Sequence, residues 1–120
     1  MRNQPQYHFL KNTGYAFAGI KDMIKNETSF KIELLLCIVL IPLLIFIDIS
    51  IIYKILMFIS LMGILIAEAT NSAIERVVDL VTLEHNPMAG RAKDIGSSLV
   101  FLSICVFIVT WSISLYQLCK

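Results

Sequence analysis

Four polar residues at helical spacing are the part of this sequence whose side chains could carry chemistry. Glu68, Asn71, Glu75 and Asp79 follow one another at steps of three, four and four residues inside an otherwise apolar segment. An α-helix turns by about 100° per residue, so this spacing places all four side chains on one stripe. Carboxylates beside hydrocarbon are costly unless they pair, bind a cation or face water. The stripe therefore predicts a functional site at a membrane surface.

Two interpretations of the stripe remain open on these residues alone. It is either an active site or a polar seam that joins helices through hydrogen bonds. Clustered carboxylates repel one another unless a cation bridges them, and Mg²⁺ commonly binds one or two carboxylates together with phosphate oxygens. Such a site suits a nucleotide, but the five glycines form no phosphate-binding loop. A nucleotide would therefore contact side chains on helices. For Asp79 a solvated or paired surface carboxylate is an equally good interpretation.

Composition indicates a membrane protein. The chain has 120 residues, of which 58% are hydrophobic, and its mean hydropathy is +0.79. These values are typical of a single domain in a bilayer, here residues 1–120. The net charge of +1 argues against nucleic acid as a partner. Three cysteines are scattered over apolar segments without metal-ligand spacing and are interpreted as structural thiols.

The elements that must position the stripe are all helices. The segment from Ile95 to Cys119 carries no formal charge, and it is long enough for a membrane-spanning helix. The pattern predicts an all-α membrane protein with an amphipathic surface helix at about 6–25 and transmembrane helices at about 29–47, 50–82 and 91–118. An alternative for the first helix is that it packs on the spans as a soluble helix does.

The distribution of basic residues predicts the orientation. The positive-inside rule places the N-terminus and the second loop in the cytoplasm and the C-terminus in the periplasm. The turn between the first two spans has no basic residue. The basic residues that set this orientation are Arg2, Lys11, Lys21, Lys25 and Lys31 before the first span, and Arg76, Arg91 and Lys93 around the second loop.

A family resemblance adds to this interpretation. Residues 68–79 read E-A-T-N-S-A-I-E-R-V-V-D, and residues 90–97 read G-R-A-K-D-I-G-S. Both runs resemble the prokaryotic diacylglycerol kinase family of small trimeric membrane kinases, and Gly14-Tyr15, Asn26-Glu27 and Thr110-Trp111 fit it as well. The resemblance implies transfer of the ATP γ-phosphoryl group to 1,2-diacylglycerol, giving phosphatidic acid. It also implies a homotrimer in the bacterial cytoplasmic membrane.

The resemblance implies roles for individual residues. Glu68 matches the general base, and Glu27 and Glu75 match the carboxylates that hold Mg²⁺. The ATP-binding positions are His8, Tyr15, Glu27, Glu75, Glu84, His85, Asn86, Lys93 and Asp94. The lipid-substrate positions are Glu68, Asn71, Ser97 and Trp111, although Trp111 and Tyr116 are more typical of an aromatic belt at the outer interface.

Two positions depart from the family pattern. His8 stands where an arginine is common, and residues 84–86 read Glu-His-Asn where Glu-Tyr-His is common. A histidine is a weaker phosphate partner than arginine at neutral pH.

Two other activities remain as alternatives. Undecaprenol kinase shares the core pattern, but Gly90-Arg91 and the uncharged last span favour diacylglycerol. In a different class, a small proton- or cation-coupled transporter would use Glu68 to bind the ion. A purely structural scaffold is disfavoured, because it needs no carboxylates at this depth.

Overall fold

The computed structural model describes residues 8–120, which form four helices joined by short connections. Its elements are α1 (Phe9–Asn26), α2 (Thr28–Phe46), α3 (Ile51–Val81) and α4 (Pro87–Cys119). Helices α2, α3 and α4 are each long and apolar enough to cross a membrane. The predicted all-α class, with one surface helix and three spans, is confirmed. The first two residues of the predicted surface helix, 6 and 7, lie outside the described residues.

Helix α1 presents an apolar face that the spans do not cover. No residue between Phe9 and Asn26 is buried, and Leu10 and Phe17 are largely exposed. An amphipathic helix of this kind lies in the membrane interface with its apolar side chains among the lipids. The exposure favours the predicted surface helix over a helix whose apolar face packs on the spans.

Helix α3 is central, because it packs against both α2 and α4. Met57 and Leu61 of α3 are fully buried against Trp111 of α4. The Trp111 indole N–H donates to the Met57 carbonyl and to the Ser60 hydroxyl, both at 3.1 Å. The ring therefore lies inside the bundle and not in the expected aromatic belt. A buried indole needs a hydrogen-bond acceptor, and α3 supplies two.

Side chains satisfy backbone hydrogen-bonding groups at two ends of the membrane-spanning helices. Lys54 Nζ donates to the carbonyl of Ile45 at 3.0 Å, which satisfies an acceptor at the end of α2. Asn86 Oδ1 accepts from the backbone N–H groups of Met88 (2.9 Å) and Ala89 (3.2 Å). With Pro87 at the first helical position, this cap starts α4 earlier than the predicted residue 91. Residues 91–94 thus lie on a helix.

Candidate active site

The predicted stripe on α3 changes from buried to exposed along the helix. Glu68 and Asn71 are buried, Glu75 is half-buried and Asp79 is exposed. Asn71 Nδ2 donates to Glu75 Oε1 at 3.2 Å, so the two side chains are linked one helical turn apart. At 1.5 Å per residue, Glu68 and Glu75 are separated by about 10 Å along the axis. The stripe connects the bundle interior with the open end of the helix.

Glu33 of α2 is a candidate site residue that the sequence analysis did not single out. Its carboxyl group lies beside that of Glu68, and the two groups act on one another electrostatically. Two neighbouring carboxylates repel one another unless a proton or a cation is shared. The signal available in the sequence was the presence of a second acidic residue in an apolar segment, but nothing in it specified the partner.

Polar atoms beside Glu68 are buried without a hydrogen-bond partner. They include Asn71 Oδ1 and Glu33 Oε2. The side chain of Asn71 fills the space opposite Gly96 of α4, where any Cβ atom would overlap it. Buried polar atoms are nearly always paired, so unpaired ones at a candidate site mark where a ligand, proton or water would bind.

Glu27, between α1 and α2, reaches across to α3. Its Oε1 accepts a hydrogen bond from the Ser72 hydroxyl (2.5 Å) and one from Arg76 Nη2 (3.0 Å). The second arm of Arg76 bonds Asp22 Oδ2 at 2.5 Å. The hydrogen bond from Ser72, assisted by Arg76, holds the pKa of Glu27 below its usual range. The bonds from Arg76 and Asn26 lower the pKa of Asp22 in the same way.

A cleft of about 360 Å³ opens between the end of α3 and the start of α4. Its lining includes Glu84, His85, Asn86 and Lys93, so the structure gathers these predicted nucleotide residues. Lys93 Nζ bonds Asp79 Oδ1 at 2.7 Å across the cleft. Asp79 is therefore paired, as one of its two interpretations expected.

The other predicted residues lie apart from this cleft. Asp94 and Ser97 are exposed on α4, His8 is exposed directly before α1, and Tyr15 is exposed within α1. Trp111 is buried among the residues around Met57, which places it deeper in the bundle than the stripe. It therefore contacts the protein core and not Glu68.

The donor chemistry fits a magnesium ion that is shared with a nucleotide. Among residues 8–120, no group of three or more His, Cys, Asp or Glu side chains is placed to hold a metal ion. A Mg²⁺ ion shared with phosphates needs only one or two carboxylates. Glu27 and Glu75 supply two, and Glu27 bonds Ser72 and Arg76, which precede and follow Glu75 on α3.

The family model for prokaryotic diacylglycerol kinase matches residues 14–115. The chain belongs to the prokaryotic diacylglycerol kinase family. It is 40% identical to the diacylglycerol kinase of Haemophilus influenzae over 87% of this chain and 88% of the relative. It is 36% identical to that of Escherichia coli strain K12 over 90% and 88%. The undecaprenol kinase of Bacillus subtilis is 31% identical over 84% and 79%.

Family membership establishes the class of activity. The chain is an enzyme of a kinase family, and a nucleotide is one of its substrates. Its family and its three helices that are long and apolar enough to cross a membrane make it a membrane protein. The buried stripe of α3 therefore lies within a kinase.

Proposed function

We propose that this enzyme transfers the γ-phosphoryl group of ATP to the hydroxyl of 1,2-diacylglycerol and so produces phosphatidic acid. The observation that carries the proposal is the stripe itself, in which buried Glu68 is followed along α3 by Glu75 and then by a polar cleft. A lipid hydroxyl approaches from the bilayer side and a nucleotide from the water side. The relatives that are 40% and 36% identical carry the name diacylglycerol kinase.

Glu68 acts as the general base in this proposal. It accepts the proton of the lipid hydroxyl while that oxygen bonds to the γ-phosphorus and the bond from phosphorus to the ADP oxygen breaks. Glu68 is buried, and no cation contacts it among the described residues. Glu33 lies beside it, and Asn71, whose side-chain oxygen is buried without a hydrogen-bond partner, is a lipid contact in this proposal. Ser97 is a further lipid contact in this proposal.

Glu27 and Glu75 would hold the magnesium ion together with phosphate oxygens. When bound, the ion supplies positive charge that offsets the charge on the transferring phosphoryl group. Lys93 adds a positive donor at the cleft, where it is already paired with Asp79. The remaining proposed nucleotide contacts are His8, Tyr15, Glu84, His85, Asn86 and Asp94.

The proposal includes a homotrimer in the bacterial cytoplasmic membrane, with the N-terminus and the second loop in the cytoplasm. Three helices bury few residues of one another, and most large apolar side chains of α2 and α4 remain exposed. A second subunit would shield the stripe from lipid where α2 and α4 do not. An active monomer, observed by sedimentation in detergent, would contradict this oligomer.

A panel of lipids with γ-labelled ATP tests the proposed substrate. We expect labelled phosphatidic acid from diacylglycerol in mixed micelles, and loss of transfer when Mg²⁺ is chelated. No transfer to any lipid, with substrate flux in proteoliposomes that consumes no ATP, would support the transporter alternative.

Undecaprenol kinase is the second candidate, because one relative with that name is 31% identical over 84% of this chain. The same panel separates the two candidates. Faster phosphorylation of undecaprenol than of diacylglycerol, at equal mole fraction in the micelle, would replace the first proposal with the second.

A further inference from the structure

Arg76 holds together two carboxylates that come from different elements. Its Nη1 bonds Asp22 of α1 at 2.5 Å, and its Nη2 bonds Glu27 Oε1 at 3.0 Å. Arg76 directly follows Glu75 on α3. The guanidinium group therefore occupies an oxygen of Glu27 at the place where the proposed function requires a divalent ion.

We infer that Arg76 is a substitute cation for Glu27 and that it sets the divalent-ion requirement of the enzyme. Without a metal, Arg76 bonds both Glu27 and Asp22. On loading with a metal and a nucleotide, Glu27 exchanges Arg76 for the ion, and Arg76 remains bound to Asp22. This inference rests on the proposed role of Glu27 as a metal ligand.

The exchange is physically reasonable because of how the three side chains are held. The Ser72 hydroxyl bonds Glu27 independently of Arg76, so the carboxylate stays in position when Arg76 leaves. The Arg76 and Asp22 side chains are 46% and 45% exposed, and ion pairs with this exposure are weak and exchange readily. Arginine offers five N–H donors in a planar fork, so losing one acceptor leaves it paired with Asp22.

If Arg76 competes with the ion for Glu27, substitutions at Arg76 and at Asp22 change the affinity for the divalent ion in opposite directions. Arg76→Ala removes the competing cation, so the divalent ion binds more tightly. Asp22→Asn removes the alternative partner of Arg76, so Arg76 binds Glu27 more strongly and the ion binds less tightly. A structural link between α1 and α3 would be broken by either substitution, and both would then change the affinity in the same direction.

The experiment is a Mn²⁺ titration of the full-length protein in detergent, with β,γ-methylene-ATP at saturating concentration. Free Mn²⁺ is measured by electron paramagnetic resonance, so no phosphoryl transfer is needed. We expect the Mn²⁺ dissociation constant to fall about threefold or more for Arg76→Ala and to rise about threefold for Asp22→Asn. Lys21→Ala, which removes an exposed cation of α1, is the matched control and should leave the constant unchanged.

Glu27→Gln separates failure of this inference from failure of the proposed function. If Glu27→Gln weakens Mn²⁺ binding while Arg76→Ala leaves it unchanged or weakens it, the inference is overturned and the metal role of Glu27 stands. If Glu27→Gln binds Mn²⁺ as the parent does, the metal role of Glu27 fails. Shifts of the same sign for Arg76→Ala and Asp22→Asn would reduce Arg76 to a structural link. Circular dichroism and size in detergent establish that each variant is folded.

Discussion

The two halves of α3 differ in whether their buried polar groups are all hydrogen-bonded. In the half around Met57 and Ser60, the indole N–H of Trp111 has two acceptors, and Ser60 donates to the Met57 carbonyl at 2.8 Å. In the half around Glu68 and Asn71, the buried Ser72 hydroxyl is paired, but two buried oxygens, Asn71 Oδ1 and the neighbouring Glu33 Oε2, have no hydrogen-bond partner. The same helix thus contains a closed polar cluster and an open one.

This difference distinguishes buried polar groups that stabilise helix packing from those that are available for binding or catalysis. A buried polar group that is fully paired helps to fix how two helices pack. A buried polar group that is left unpaired costs free energy, and it persists in a native fold where binding of a substrate or proton requires it. We therefore expect substitutions near Trp111 to affect stability and substitutions near Glu68 to affect turnover.

The largest effect is expected from Glu68→Gln. The amide keeps the size of the side chain but cannot accept the hydroxyl proton, so kcat should fall by about 10²-fold or more. Steady-state transfer to diacylglycerol measures the loss, and an unchanged melting temperature in detergent shows that the fold is intact. Turnover close to that of the parent would remove the assigned base.

A smaller effect is expected from Glu75→Gln. One of two carboxylates proposed for the metal is lost, so the Mg²⁺ and ATP concentrations at half-maximal rate should rise by about tenfold, which corresponds to ~1.4 kcal/mol. Raising the Mg²⁺ concentration should restore most of the rate. A fall in kcat that magnesium does not relieve would place Glu75 at the chemical step instead.

Much of this architecture is predictable from local patterns. Uncharged stretches of sufficient length predict the spans, and the spacing of Glu68, Asn71, Glu75 and Asp79 predicts one helical stripe. Asn86 is the N-cap of α4 and Pro87 is its first helical residue. Because both residue types are favoured at these positions, the early start of α4 could have been predicted from the sequence.

The contacts between helices were not predictable, because α2 is apolar on every side after Glu33. Its sequence therefore does not specify which face meets α3, and the contact between Glu33 and Glu68 depends on that rotation. The same reason applies to Trp111, whose position near the end of a span suits an interfacial ring until the packing of α4 on α3 is known. The bridge from Arg76 to Asp22 requires the relative positions of α1 and α3.

Gly96→Ala tests whether the space around Asn71 matters for the open cluster. The added methyl group overlaps Asn71 Oδ1, so the Asn71 side chain must shift and its hydrogen bond to Glu75 is disturbed, at a cost of roughly 1–3 kcal/mol. We expect transfer to fall several-fold. Gly63→Ala is the matched control, since a Cβ there meets no atom within 4 Å in the described chain. Equal activity of both variants would show that the position of Asn71 is unimportant.

The smallest effect on turnover is expected from Trp111→Phe. The ring loses its N–H donor, but Ser60 still bonds the Met57 carbonyl, so the free energy of unfolding should fall by only about 1 kcal/mol. Transfer below the melting temperature should stay near the parent rate. Denaturation in mixed detergent measures the free energy of unfolding. A selective loss of affinity for diacylglycerol would instead support the predicted lipid contact of Trp111.

A single turnover by Glu68→Gln tests whether Glu68 is the general base. The variant is saturated with γ-labelled ATP, Mg²⁺ and diacylglycerol, and the reaction is quenched at short times. We expect ATP to bind as it does to the parent while no burst of labelled phosphatidic acid forms. A burst of parental rate would contradict the assignment of buried Glu68 as the group that receives the lipid proton.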